Sequence, residues 1–466
     1  MNAKDEPLIK TPEDLAAALR IAAELEHGLC CQYLFAGFTL RRTLDDFADL
    51  PDIPENDKLH VMALTQGWAM QIMLVARQEM EHLMMVINLQ TALGQPPHLK
   101  RPDFPVPRKT FPIDAHFCLE RVEPTTLDRF LFYERPDYLA EEMVFDDPGC
   151  CGRLPQVTRP LTLRSHGSLQ FKIKSLQELY EQIAGAYKGE NQLPAAELFR
   201  GSAARQVQSS AVQWFARVNV PQVTNRAQAV AAIAQIVFEG EGIGEFPTSP
   251  NSHFARFAGV KQEYKALARA RPSAADPELP SPDPALPVAC NPAAGDEIPP
   301  GATRITDEAA VRAMRLFDDG YFLMLAMLRG FFETYQGNFG TFPTFPGAAP
   351  ASALFLEGFY PFMTMFIRPL GELICRLPAG PEHPGKNAGP SFALQGKEPP
   401  GMQDLDWYAD RLAALDRDSH ALHAFLADRE DRYGAPAVLA AERQRQVLHR
   451  MLLNLPRLWK EGVLNP

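Results

Sequence analysis

Cysteine is scarce in this sequence: seven in 466 residues, an odd number. Cys30–Cys31 and Cys150–Cys151 are adjacent pairs and no C-x-x-C occurs. Neither a disulfide framework nor a structural zinc site is expected, and most of these cysteines read as small buried apolar residues. Positive charge is in deficit too. The net charge of −11 excludes a general attraction to nucleic acid or to anionic membrane. No continuous apolar run approaches the roughly 20 residues that span a bilayer, and the N-terminal MNAKDEPLIKTPED lacks the apolar core of a signal peptide. The expectation is a cytoplasmic protein with neither nucleic acid nor membrane as partner. Also missing are a convincing G-x-x-x-x-G-K-[ST] or G-x-G-x-x-G phosphate loop and a G-x-S-x-G nucleophile elbow. Strand-like alternation is weak throughout, and no internal repeat stands out.

What is present is helical patterning in a chain of ordinary globular composition, 46% hydrophobic and 22% charged. Thr11-Pro12-Glu13-Asp14 carries a capping Thr, a Pro at the first helical position and early acids. It predicts a helix to about Leu44. A second helix is predicted over about Asn56 to Leu93, stopped by Gly94, Pro96 and Pro97. Residues 97–160 read as proline-rich loop with short elements. Further helices are predicted over about Ser168 to Lys188 and Asn225 to Glu241, and in stretches at about 306–335, 352–377 and 403–463. The segment PSAADPELPSPDPALPVACNPAAGDEIPPG reads as a linker, either an extended crossover or a partly mobile loop. The reading is thus an all-α chain: a helical bundle over 1–265, a Pro-rich linker over 266–304, and a C-terminal helical region over 305–466 packed on the bundle.

Two of these helices bury polar residues. Trp68, Ile72, Val75, Glu79, His82, Val86, Leu89 and Leu93 follow a 4-3 spacing and share one face. Six of the eight are apolar, so Glu79 and His82 enter a core. In the first helix, Leu15, Leu19, Ala22, Glu26, Leu29, Tyr33 and Gly37 form the inner stripe, with Glu26 in its middle. Unpaired buried charge is costly, so such groups are paired or bind metal. A Glu on one helix and Glu-x-x-His on the next make half of a di-iron carboxylate pattern. The alternative is a hydrogen-bonded cluster without metal. Oxygen-rich donors with a few imidazoles suit iron or manganese better than zinc or copper.

The other half is less regular. Ile173, Leu176, Tyr180, Ile183 and Tyr187 form the third stripe without an acid on it. Glu178 and Glu181 share another side, with Glu181 nearer the apolar face, and solvent-facing acids are an equal reading. Val230, Ile233, Val237 and Glu241 align in the fourth helix, where Glu241 points inward and Glu239 less so. No Glu-x-x-His follows, and Gly240 and Gly242 loosen the helix. Asn251-Ser252 caps a new helix beginning at His253, which a turn of chain brings toward Glu241. Otherwise His253 is a partly buried neighbour of Phe254 and Phe257.

The segments AAELEHGLCCQYLFA (22–36), ARQEMEHLMMVINLQTALG (76–94), SLQELYEQI (175–183), FEGEGIGEF…SHFARF (238–257) and MFIRPLGELICRLPAGPEHPGKNAGPSF (365–392) resemble the ferritin-like family named after iminophenyl-pyruvate dimer synthase. That family includes the VioB, RebD and StaD enzymes of secondary metabolism. The resemblance implies a ferritin-like four-helix bundle with long crossover loops and an additional C-terminal helical region. It implies metal ligands at Glu26, Glu79, His82, Glu181, Glu241 and His253. The family's dimer synthases are longer and carry a region associated with haem and imine coupling. No haem site is identified in this sequence, so the named reaction does not transfer with the fold.

Other features carry less. His420 and His423, near Asp416 and Asp418, form an H-x-x-H that reads best as a solvated face. Phe317–Phe332 and Phe355–Phe366 are rich in aromatics and Met, which suits core packing more than a substrate pocket. Arg368 and Glu372 are spaced for an ion pair. The functional expectation is a non-haem oxidoreductase holding two iron ions, or manganese, and acting on a small organic substrate derived from an aromatic amino acid. Tyr33 and Tyr180 would add hydrogen bonds or a redox-active phenol, and a homo-oligomer is compatible with this reading. The alternatives are a non-catalytic ferritin-like binding or structural protein and a ferroxidase.

Overall fold

Thr11 starts the first helix, α1 (Pro12–Phe38), through a reciprocal pair of bonds: its hydroxyl accepts from the Asp14 N–H at 3.1 Å, and the Asp14 carboxylate accepts from the Thr11 N–H at 3.0 Å. The computed structural model describes residues 9–108, 110–111, 113, 115–136, 161–165, 169–173, 175–188, 193–212, 218–242, 249–337 and 358–460. Cys150, Cys151, Pro247 and parts of the segments 238–257 and 355–366 lie outside them.

The second helix, α2 (Glu55–Ala92), runs beside α1 and ends at Gly94, whose φ of +80° suits glycine. A close approach follows: a Cβ on Gly201 would lie 1.7 Å from the Thr91 carbonyl oxygen, so only glycine lets the returning chain bond Ala92. An 18-residue window of α2, mean hydropathy 1.3, passes the length and composition test for a membrane span, as core helices also do. The helix nevertheless carries Glu79, Glu81 and His82 at buried positions.

Next come α3 (Pro124–Glu134), α4 (Leu176–Gly185), a one-turn α5 (Ala195–Leu198), α6 (Arg226–Gly240) and α7 (His253–Ala270). α3 packs against α7 and α4 against α6, and both pairs flank α1 and α2. Trp68 on α2 donates to Glu263 on α7 at 2.7 Å. The chain is all-α in character. Among the described residues its strands are an antiparallel pair, β1 (Leu161–Ser165) with β2 (Leu169–Ile173), and a short parallel pair, β3 (Pro292–Ala293) with β4 (Thr303–Arg304). The predicted helix at Ser168 therefore begins only at Leu176: Leu169–Ile173 is strand, and Ser175 caps α4.

The Pro-rich segment is an extended strap on the bundle. Arg41 N–H donates to the Pro284 carbonyl, Leu286 N–H to Thr39, and Asn291 N–H to Leu119. Cys118 and Cys290 are disulfide-bonded beside this last contact, which their lack of local spacing did not suggest. Beyond the strap, α8 (Glu308–Thr334) leads to a π-turn (Met363–Ile367) running into α9 (Arg368–Ile374). A hairpin of α10 (Leu405–Ala427) and α11 (Ala435–Lys460) then packs on these. Arg376 grips the buried Asp46 carboxylate at 2.6 and 3.0 Å, tying the end of α9 to the turn after α1.

Candidate metal centre

Five elements each deliver a side chain to one buried point. Glu26 comes from the middle of α1. Glu79 and His82 come from α2, where three residues make almost one turn and so one face. Glu134 is the last residue of α3. Glu241 caps the end of α6. His253 opens α7, whose start is fixed by Ser252 accepting from the Ala255 N–H at 3.2 Å. None of these six is more than 3% exposed.

Glu79 sits between the two imidazoles. Its Oε2 lies 3.2 Å from His82 Nδ1, and its Oε1 lies 2.8 Å from His253 Nδ1. On the His82 side stands Glu26, with Oε2 at 3.6 Å from the same Nδ1. On the His253 side stands Glu134, with Oε2 at 3.5 Å. The two rings stack at 5.2 Å between centroids. Each outer carboxylate accepts from a tyrosine: Glu26 from Tyr180, and Glu134 from Tyr33. The centre thus has two similar halves that share Glu79. Glu239 on α6 approaches His82 Nε2 at 3.2 Å, and Glu241 accepts from the Gln177 N–H at 2.7 Å. The enclosed volume, about 20 Å³, is walled by Leu29, Leu176, Ile236 and Val237. That space is water-sized.

The electrostatics follow from burying acids together. Burial, then the neighbouring Glu79, pushes the Glu26 carboxyl up to about 8. Burial also disfavours the Glu79 charge, but the charge of His253 and the short polar contacts with Glu26 and His253 together hold Glu79 below the ordinary range. Burial disfavours imidazolium as well, yet the carboxylates raise His82 well above its ordinary value and His253 to about 9. The cluster therefore demands positive charge.

The residues present fit a pair of divalent ions. Glu79 Oε1 and His253 Nδ1 are close but make no hydrogen bond, and both are buried. Two donor atoms that face a common point behave this way. Carboxylate oxygens with one imidazole in each half form a donor set suited to iron or manganese. Glu26, His82 and Glu79 would hold one ion, and Glu79, His253 and Glu134 the other.

Five of the six residues singled out in the sequence meet here: Glu26, Glu79, His82, Glu241 and His253. Glu181 does not. It is exposed and accepts from the Gln177 side chain at 2.7 Å. Tyr180 takes the inward position on α4, and Glu178 is only partly buried. The remaining carboxylate is Glu134, from a region read as loop. Its signal was Pro124 at a helix start, followed by Leu127, Phe130 and Leu131, a short apolar stripe that a window tuned to long helices passes over. Glu239, ranked below Glu241, also reaches His82. In the C-terminal hairpin, His420 pairs with Asp416 at 3.7 Å and His423 with Glu442 at 3.4 Å, so the H-x-x-H does not converge. Asp416, His420 and His449 do cluster, but at the surface, where Arg445 also meets the His420 ring at 3.3 Å. Arg368 and Glu372 form their ion pair at 3.0 Å.

Comparison with known proteins gives a family and two named relatives. The family described as Ferritin-like matches residues 19–262. Dichlorochromopyrrolate synthase of Lentzea aerocolonigenes is 28% identical over 84% of this chain and 36% of its own length. The 2-imino-3-(indol-3-yl)propanoate dimerase of Chromobacterium violaceum is 26% identical over 86% of this chain and 35% of its own length. The chain thus spans about a third of the length of the curated relatives it matches. A ferritin-like protein from Caulobacter vibrioides superposes with a TM-score of 0.41 at 17% identity, over 76% of this chain and 94% of that one.

Proposed function

Because the chain belongs to the ferritin-like family, we propose that it is a non-haem oxidoreductase with two iron or manganese ions, acting on a small organic substrate derived from an aromatic amino acid. The observation that carries this reading is Glu79, placed between two imidazoles with a further carboxylate beyond each. The bound ions would supply one-electron redox chemistry toward dioxygen or peroxide. The name of the second relative, a 2-imino-3-(indol-3-yl)propanoate dimerase, supports an indole-bearing imino acid as the substrate class. That step is analogy from fold and sequence.

The chain's own residues have definable tasks. Tyr180 and Tyr33 hold Glu26 and Glu134 in fixed orientation through O–H donors, as outer hydrogen bonds do for metal ligands. Leu29, Leu176, Ile236 and Val237 keep bulk water from the centre. Glu26 holds a proton at neutral pH in the metal-free protein and is the acid best placed to give it up when cations arrive.

Dioxygen consumption tests the proposal. Protein loaded with Fe(II) under anaerobic conditions should consume dioxygen above the rate of free Fe(II), and Glu79→Ala should abolish the excess. A wild-type rate equal to that of buffer would overturn it.

A further inference from the structure

The C-terminal hairpin of α10 and α11 carries a row of polar pairs along one edge. Asp416 faces His449 at 3.8 Å, His420 faces Arg445 at 3.3 Å, and His423 faces Glu442 at 3.4 Å. Each pair is one turn from the next on both helices, as the register of two antiparallel helices requires. Asp416 and His420 are four residues apart on one face of α10, with Oδ1 and Nε2 separated by 3.7 Å. One ligand atom from each of Asp416, His420 and His449 lies within 4.8 Å of the other two. The hairpin lies beyond residues 19–262, so the family match assigns nothing to it.

The spacing of these three residues does not suit hydrogen bonds. The carboxylate stands 3.7 Å from one imidazole and 3.8 Å from the other, beyond the roughly 2.7–3.2 Å of an N–H···O bond. Ligand atoms about 2.1 Å from a tetrahedral zinc ion lie about 3.4 Å from one another, which is close to what is seen. Asp416 Oδ1 is shut off from solvent and makes no hydrogen bond. The two imidazoles are about half exposed, so an ion between them keeps water on its open side. Two imidazoles and one carboxylate suit zinc, and the set is richer in nitrogen than the buried centre. Arg445 is the competitor, because its N–H meets the His420 Nε2 lone pair. That contact is long, whereas Glu442 holds the same guanidinium at 2.5 and 2.7 Å. A zinc ion displaces Arg445 from His420 and leaves it on Glu442.

We propose that Asp416, His420 and His449 form a zinc site, with water as the fourth ligand, that fastens α10 to α11. The three ligands meet only when the two helices are in native register, so the ion binds the folded hairpin and not the unfolded chain. The site does not depend on the reading of the buried centre. Its test therefore uses the full-length protein and counts zinc as a difference between variants, in which any zinc held by the bundle cancels.

Protein stripped with a chelator is dialysed against buffered micromolar Zn(II) and its zinc content is measured by elemental analysis. Wild type should hold one more zinc per chain than His420→Ala and one more than His449→Ala. Both side chains are exposed, and either variant suffices if the other fails to fold by circular dichroism. Arg445→Ala removes the competing donor and should bind the same zinc about two- to fivefold more tightly, read by competition with a chromophoric chelator. Equal zinc in wild type and a folded His variant, or no gain in Arg445→Ala, would each overturn the proposal.

Discussion

Oε1 of Glu79 lies 2.8 Å from Nδ1 of His253, although the two residues are on different helices and far apart in sequence. The other Glu79 oxygen faces His82. One carboxylate therefore links two half-sites, which is the ground for proposing a dinuclear centre. Its loss should disable both halves, whereas loss of an outer carboxylate should disable one.

Glu134 and Glu181 give a direct comparison. Glu134→Ala should lower bound metal from about two ions to about one per chain, read by elemental analysis, because one half keeps Glu26, His82 and Glu79. Glu181→Ala should leave metal content unchanged, since that side chain is exposed. The reverse outcome would assign the ligand to α4.

The tyrosines should tune affinity without setting stoichiometry. Tyr33→Phe and Tyr180→Phe each remove one O–H donor from an outer carboxylate. Each should weaken Mn(II) binding by about 10- to 100-fold in calorimetry, with two ions still bound at saturation. Unchanged affinity in both would show that the phenols do not orient the ligands.

Metal binding should depend on pH with a definite sign. In the metal-free protein His253 titrates near 9, His82 well above its ordinary value and Glu26 near 8, so all three hold protons at pH 7. Ligation displaces those protons. Affinity should therefore rise with pH up to about 9, by up to about tenfold per pH unit for each proton released. Calorimetry in two buffers of different ionisation enthalpy counts the protons. A count of zero contradicts the account.

Asp46 should hold the two regions together. Burial disfavours its charge, but Arg376 and the Arg42 and Thr43 N–H groups outweigh that and hold its pKa below the ordinary value. The sign for a depressed acid is that its stabilisation is present above the unfolded value near 4 and is lost as pH falls through the lower, folded value. Asp46→Asn should destabilise the protein by about 2–3 kcal/mol at pH 7. The difference should shrink in denaturant melts below pH 4. A constant difference from pH 7 to pH 3 would show that the charge is not responsible.

The sequence made half of the centre legible because an acid in an apolar stripe is out of place. Glu26, Glu79 and His82 occupy positions that packing alone gives to Leu or Val, and long regular helices make such exceptions visible. Ser252 and His253 could be read from local capping chemistry. Glu134 could not be read in the same way, since α3 is short and its acid is terminal rather than mid-stripe. Glu181 is implied by the resemblance and not by the stripe, which already has Tyr180 facing inward with no acid on it. The hydrogen bond between His27 and Tyr321 joins positions almost 300 residues apart, a juxtaposition that only the folded chain creates.

Anomalous scattering from metal-loaded crystals, collected at the iron or manganese edge, tests the central claim most directly. The account predicts two peaks within the bundle, one against Glu26, Glu79 and His82 and the other against Glu79, Glu134 and His253. No peak there, or a peak only at the surface cluster of Asp416, His420 and His449, would contradict it.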